Sequence, residues 1–321
     1  MNAGPEEIAQ AVARLRAGGL VAFPTETVYG LGAMALDPDA VDLVFRAKGR
    51  PSNNPLIVHV TGAEMARRLC AHWPERADRL AQEFWPGPLT LVLERAACVP
   101  GLVTAGGTTV ALRCPDHPLS LALMETLDAP LVGPSANPSG SISPTTAEHV
   151  RAAFDEATVF VIDGGPCRGG IESTVVDLTG ARPRVLRPGL IGRDRIARVL
   201  GETVDEGAAG EGPARSPGVV GAHYRPRTPA TMFDARDWPG VLSGGRSVVI
   251  THVDREAPPP HEVVRMPGDA RAYAARLYAA LHEADARLAD ILLVERPPTD
   301  GADAVVWEAI AERLARATSP G

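Results

Sequence analysis

The chain is predicted to be an α/β protein in two parts: an N-terminal domain on a mixed sheet with helices, and a small C-terminal α/β domain of Rossmann-like connectivity. Three observations predict this. With 321 residues, the chain exceeds the roughly 250–300 at which single cores stop growing. Through the first 200 residues, short apolar runs, many of them β-branched, alternate with helix-period patterns. Then 201–229, GETVDEGAAGEGPARSPGVVGAHYRPRTP, is rich in Gly and Pro and has almost no apolar periodicity, as a linker would. The expected division is 1–203, a linker over 204–229, and 230–321.

Strands are expected at 20–23, 56–60, 89–93, 109–113, 130–132, 159–162, 174–178 and 184–186, where runs are short and apolar. Helices are expected at 6–17, 39–48, 62–70, 75–83, 118–127, 146–154 and 193–200. Thr61 with Glu64 three residues on reads as a capping box, Pro74 suits a helix start, and Gly49 suits a C-cap. Beyond the linker, strands at 247–251 and 290–295 flank a helix over 269–288, and a last helix covers 303–317. In the first of these helices Tyr273, Leu277, Ala280, Leu281, Ala284 and Leu288 repeat at the spacing of one buried face.

Composition excludes several classes of function. Cys70, Cys98, Cys114 and Cys167 lie 28, 16 and 53 residues apart, so there is no C-x-x-C pair or disulfide framework, and a reducing cytoplasmic setting is expected. The start, MNAGPEEIAQ, has no apolar core of a signal peptide, and no run approaches a membrane span. Lys and Arg total 32 against 39 Asp and Glu, net −7, and 31 of the 32 are Arg. Lys48 is the only lysine. Gly49 follows it, so it is not a P-loop lysine, and no H-R-D signature accompanies it.

Four segments carry candidate chemistry. FPTETVYGLG (23–32) sets Thr25, Glu26 and Thr27 after a strand and before two glycines, and reads either as a ligand loop or as a polar turn. FRAKGRPSNNPLIVHV (45–60) groups Arg46, Lys48 and Arg50 at a helix end and leads to His59. Cations there complement a helix C-terminus, or they bind an anion such as polyphosphate. GPSANPSGSIS (133–143) offers Ser135 and Asn137 in a loop that is no nucleophile elbow. DGGPCRGGIESTVVDLTGARPRVLRPG (163–189) opens a stretch, 165–198, with seven Arg against three acids, net +4 in an acidic chain. His261-Glu262 and His282-Glu283 each lack the second histidine of a zinc motif.

Taken in order, FPTETVYGLG, the K-x-R of Lys48 and Arg50, FWPGPLTLVL (84–93), the S-x-N of Ser135 and Asn137, and IESTVVDL closely resemble the threonylcarbamoyl-AMP synthase family, the YrdC/Sua5 proteins. The linker and second domain resemble its long, Sua5-type form. The resemblance implies a YrdC-like twisted mixed sheet with an open concave cleft. It implies an L-threonylcarbamoyladenylate synthase, a nucleotidyltransferase making threonylcarbamoyl-adenylate from L-threonine, bicarbonate and ATP with release of pyrophosphate. The product feeds N6-threonylcarbamoylation of tRNA adenosine 37 through a transfer complex.

Carried over by motif, Thr27, His59, Arg113, Gly133 and Ser173 would surround threonine. Arg50, Asn54, Thr109, Ser135, Asn137, Ser143 and Arg187 would hold ATP, with Lys48 facing the phosphates and Lys48 and Arg50 neutralising charge in catalysis. The family's linker contributes an HYAP-like tyrosine near the nucleotide. Here His223 and Tyr224 match by type, and Arg225 replaces the alanine. Magnesium would come with the ATP phosphates rather than on protein side chains. Two other readings remain: an RNA-binding protein, disfavoured by net −7 and 4% aromatic residues, and a carbamoyltransferase using carbamoyl phosphate. Direct tRNA binding is expected to be weak or absent, and no membrane contact is expected.

Overall fold

A computed structural model of the chain describes residues 4–207, 223–242, 244–299, 301 and 303–319. The N-terminal part begins with α1 (Pro5–Arg16), β1 (Leu20–Phe23), β2 (Gly30–Met34), α2 (Pro38–Lys48), β3 (Ile57–His59), α3 (Ala63–Arg67), α4 (Glu75–Phe84) and β4 (Leu89–Glu94). It continues through β5 (Thr109–Arg113), α5 (Pro118–Leu127), β6 (Leu131–Val132), α6 (Ala147–Arg151), β7 (Val159–Val161), β8 (Thr174–Asp177), β9 (Arg184–Arg187), α7 (Arg193–Leu200) and β10 (Asp205–Glu206). The C-terminal part comprises β11 (Ala230–Phe233), β12 (Ser247–Thr251), β13 (Glu262–Arg265), α8 (Ala270–Asp285), β14 (Ile291–Glu295) and α9 (Ala304–Ala317).

Strands β1 to β10 form one mixed sheet in the order β10-β9-β8-β4-β5-β3-β6-β2-β1-β7, and the other four form a parallel sheet in the order β11-β14-β12-β13. The expected α/β class is observed. All eight strands expected before the linker are present, with ends shifted by one or two residues at most. The all-parallel second sheet, with α8 crossing between β13 and β14, has the connectivity expected of a Rossmann-like unit. Among the described residues no helix is long and apolar enough to cross a membrane.

The differences have physical causes. Segment 30–34, for which no strand was expected, is β2, antiparallel to β1. Its residues GLGAM carry no strand propensity. Pairing holds it, and a Cβ at Gly30 would lie 2.9 Å from the Phe23 ring that covers it. The two strands missed after the linker, β11 and β13, are the edges of the second sheet and are only partly buried, so their apolar signal is weak. The capping box at Thr61 is not formed: α3 starts after Gly62 without a side-chain cap. Residues 205 and 206, assigned to the linker, instead pair with β9 as β10. Linker residues 208–222 lie outside the described residues.

The sheet brings the functional segments together. The parallel register of β3 and β5 sets His59 beside Arg113, and β6 runs antiparallel on the other side of β3. The C-terminal part packs on the same side: Val28, Ile142, Ile171 and Tyr224 share an apolar cluster with Tyr273, Leu277, Tyr278 and Trp307.

Candidate active site

Arg113 ends β5 and is almost wholly buried. Its guanidinium donates to Thr27 Oγ1 at 2.8 Å and pairs with Glu26 Oε2 at 2.8 Å. Glu26 also accepts from the Asp116 amide, and Thr27 shares a hydrogen bond with Thr25, whose hydroxyl donates to the Val28 carbonyl. The TET segment is therefore a polar loop folded around one buried cation. A buried guanidinium without such partners would cost several kcal/mol.

His59 ends β3 and lies edge-on to Phe23, with ring centroids 5.3 Å apart. Burial, reinforced by the adjacent Arg113, lowers its pKa far enough to keep it neutral. Gly133, just past β6, is what lets this imidazole fit, since a Cβ there would stand 2.6 Å from His59 Nδ1. Three buried polar atoms in this group have no hydrogen-bond partner: His59 Nδ1, Arg113 Nε and Glu26 Oε1. Buried polar atoms are almost always paired, so such a cluster marks a place shaped for a polar ligand.

Around it is a cavity of about 60 Å³ whose walls include Arg50, His59, Arg113, Ser135, Arg187 and Tyr224. Arg50 is oriented by its own loop, donating to the Asn54 side chain at 2.6 Å and the Pro55 carbonyl at 2.8 Å. Burial moves its pKa down to about 10, which leaves it charged. Ser173 shares a hydrogen bond with Thr90, 2.7 Å, and accepts from Arg187, which also donates to the Ser173 carbonyl at 3.1 Å. Ser143 donates to Glu172 at 2.9 Å. Tyr224 is buried at φ 66°, a left-handed conformation that costs a non-glycine residue about 1–2 kcal/mol.

Two of the expected residues do not line the cavity. Lys48 is buried and is not among the residues that line the cavity; its ammonium donates to the carbonyls of Ser135, which does line it, and of Asn137. Burial first, and Arg50 second, hold its pKa well below the usual lysine value. The K-x-R and S-x-N motifs thus meet, but as a strut beneath the 135–137 loop. Thr109, at the far end of β5 from Arg113, is opposite Glu94 and does not line the cavity. Asn137 anchors the same loop, donating to Ser141 and Pro138 carbonyls, while its Oδ1 is without a partner.

Residues absent from the motif assignments also matter here. Glu26 was visible in TET but had no assigned partner. Glu172, Tyr278 and Arg313 meet across the two parts of the chain, and nothing local in the sequence links them. Among the described residues no group of three or more His, Cys, Asp or Glu side chains is placed to hold a metal ion.

The chain is similar to known proteins over nearly its whole length. Residues 13–189 match the Sua5/YciO/YrdC domain family, described as telomere recombination, and residues 191–319 match the threonylcarbamoyl-AMP synthase C-terminal domain. A Bacillus subtilis threonylcarbamoyl-AMP synthase is 40% identical over 99% of this chain and 94% of its own length. A Pyrococcus abyssi threonylcarbamoyl-AMP synthase is 49% identical over 66% of this chain and 63% of its own. The crystal structure of Pyrococcus abyssi Sua5 complexed with L-threonine superposes with a TM-score of 0.88 at 38% identity, over 97% of this chain and 94% of that one. The chain belongs to the threonylcarbamoyl-AMP synthase family, the enzymes that form threonylcarbamoyl-adenylate from threonine.

Proposed function

We propose that this chain synthesises threonylcarbamoyl-adenylate from L-threonine, bicarbonate and ATP, and that the cavity between the ends of β3, β5, β6 and β8 is where they meet. One observation carries the placement: Arg113 and His59 face one small cavity, buried, each with a nitrogen that no protein group satisfies. A free amino acid has the matching carboxylate. Arg113, held by Glu26 and Thr27, would take that carboxylate, while neutral His59, Gly133 and Ser173 would close around the rest of threonine. A neutral imidazole suits a substrate amine that must stay unprotonated to capture CO₂.

The carbamate so formed attacks the α-phosphorus of ATP. A new P–O bond forms, the bond to the β-phosphate oxygen breaks, and pyrophosphate leaves. No covalent protein nucleophile is needed, so positioning and charge neutralisation are the protein's task. Arg50 and Arg187, both charged and on the cavity wall, would hold the phosphates, and Asn54 would act by orienting Arg50. Ser135, Asn137 and Ser143 would shape the nucleotide side, with Lys48 fixing their loop from below. The pocket's cations and single engaged carboxylate do not form a metal cage, so Mg²⁺ would be held by the phosphates, where it supplies further charge neutralisation.

The cavity is far below the roughly 300–1,000 Å³ of ordinary ligand pockets. Tyr224 and His223 form part of its wall and belong to the linker, so we assign them the role of a cover that shifts on binding and then keeps water from the labile carbamate and adenylate. The product would pass to a tRNA threonylcarbamoyl-transfer complex in the cytoplasm, and net −7 favours weak or no direct tRNA binding. The test is pyrophosphate release with ATP, Mg²⁺ and bicarbonate. Release no greater with threonine than without it would defeat the proposal.

A further inference from the structure

The C-terminal part contributes no side chain to the cavity wall among the described residues, yet it grips one residue that does, Glu172. Glu172 Oε1 accepts from Ser143 at 2.9 Å, and the Tyr278 hydroxyl, on α8, approaches both carboxylate oxygens at 3.1 and 2.9 Å. Arg313, on α9, reaches Oε2 at 3.3 Å and donates to the Pro188 carbonyl at 2.7 Å. The Arg313 side chain is fully buried. Upstream, Gly170 at φ 70° presses so closely on α8 that a Cβ would lie 2.2 Å from the Ala274 carbonyl oxygen. Both chain segments held this way are working segments of the site: Glu172 precedes Ser173, and Pro188 follows Arg187.

A buried arginine–carboxylate pair adds little net stability over apolar side chains of the same size, but it fixes geometry and penalises loss of either partner. Here it also settles which cation Glu172 engages. Arg187 acts on the same carboxylate from the cavity side. With Arg313 and Tyr278 in place, the carboxylate is satisfied from behind, and the Arg187 guanidinium is directed to Ser173.

We propose that Arg313 and Tyr278 are positioning residues for adenylate synthesis: by occupying Glu172 from the C-terminal domain they keep Arg187 and Ser173 set for ATP and threonine. This rests on the site reading above. The C-terminal domain is then a working part of the active site, acting through one carboxylate. Without Arg313, Glu172 would draw in Arg187, the other cation that acts on it, and nucleotide binding would suffer more than turnover.

The test compares wild type with Arg313→Met, Arg313→Lys, Tyr278→Phe and the pair Arg313→Met with Glu172→Gln. Pyrophosphate kinetics, ATP affinity by titration calorimetry and thermal melting are measured on the full chain. Arg313→Met is expected to raise the KM and Kd for ATP at least tenfold with kcat within about threefold. Arg313→Lys should recover part of that loss, and the double variant should recover ATP affinity because no unpaired charge is left to capture Arg187. If Arg313→Met does not fold, Tyr278→Phe, which removes only the hydroxyl, should still raise the KM and Kd for ATP severalfold at near-normal melting temperature. Unchanged ATP constants in folded variants, with only the melting temperature lowered, would overturn the inference. An inactive wild type would instead defeat the functional reading, and the calorimetric Kd values would still decide the role of Arg313.

Discussion

Lys48→Arg keeps the charge and changes only its shape, so it isolates what the chain's single lysine does. The ammonium occupies a closed spot between the carbonyls of Ser135 and Asn137, two residues apart on one loop. A hydrogen bond from a charged donor contributes about 1.5–3 kcal/mol. A planar guanidinium cannot converge on two such close carbonyls from the same buried point, so at least one bond is lost. Forcing the larger group into a packed site adds about 1–3 kcal/mol of strain. The sum, roughly 2.5–6 kcal/mol, falls partly on folding and partly on the loop beside the cavity. If half reaches the transition state, kcat/KM falls about tenfold to 150-fold at 1.36 kcal/mol per decade. The assay is threonine-dependent pyrophosphate release, run beside a thermal melt. Wild-type kinetics and melting in Lys48→Arg would refute the strut. A loss confined to kcat, with stability intact, would refute it too, because that is the signature of an ammonium acting directly on the phosphates.

Further outcomes follow from the same geometry. Glu26→Gln should raise the KM for threonine about tenfold or more, since Arg113 loses its buried counter-charge at 2.8 Å and with it a charge-assisted bond of about 1.5–3 kcal/mol; steady-state kinetics in threonine check this. Gly133→Ala should abolish threonine binding while ATP still binds, because the added methyl lands on His59; calorimetry with each ligand separates the two. Low pH should weaken the joint between the two parts of the chain. His149 and His282 stack there with ring centroids 3.9 Å apart, and burial, then His149, holds His282 down to about 4. Both rings are neutral in the fold, so this stability is full above the unfolded value of about 6.5 and is lost as pH falls towards about 4, amounting to about 2 kcal/mol by pH 5. Melting curves at pH 7 and 5 should show a drop of several degrees that shrinks in His282→Gln, and an equal drop in that variant would count against the stack.

How much was legible depends on how far each signal reaches along the chain. The strands at 20–23 and 109–113 and the helices at 118–127 and 193–200 were read to the residue, because burial of one face writes a period into adjacent positions. His59, Arg113, Gly133, Ser135 and Arg187 were assigned through the family resemblance, and the fold gathers them on the wall of one cavity, with Ser173 bonded to Arg187 beside it. Strand β2 was not legible, since its glycines are chosen for contact with Phe23 rather than for strand propensity. Nor was the direction of the Lys48 side chain, because its partners are 87 and 89 residues away.

By itself, the sequence determined the α/β class, the two-part division, and the set of chemical groups available: a chain of arginines with one lysine, and no metal motif or nucleophile elbow. Only the tertiary structure decided which of those groups face the cavity and which brace it. The difference is one of range. Periodicity and motif spacing are local consequences of backbone geometry, whereas the pairing of Glu172 with Arg313, 141 residues apart, is selected by the desolvation of two buried charges that only a finished fold brings together.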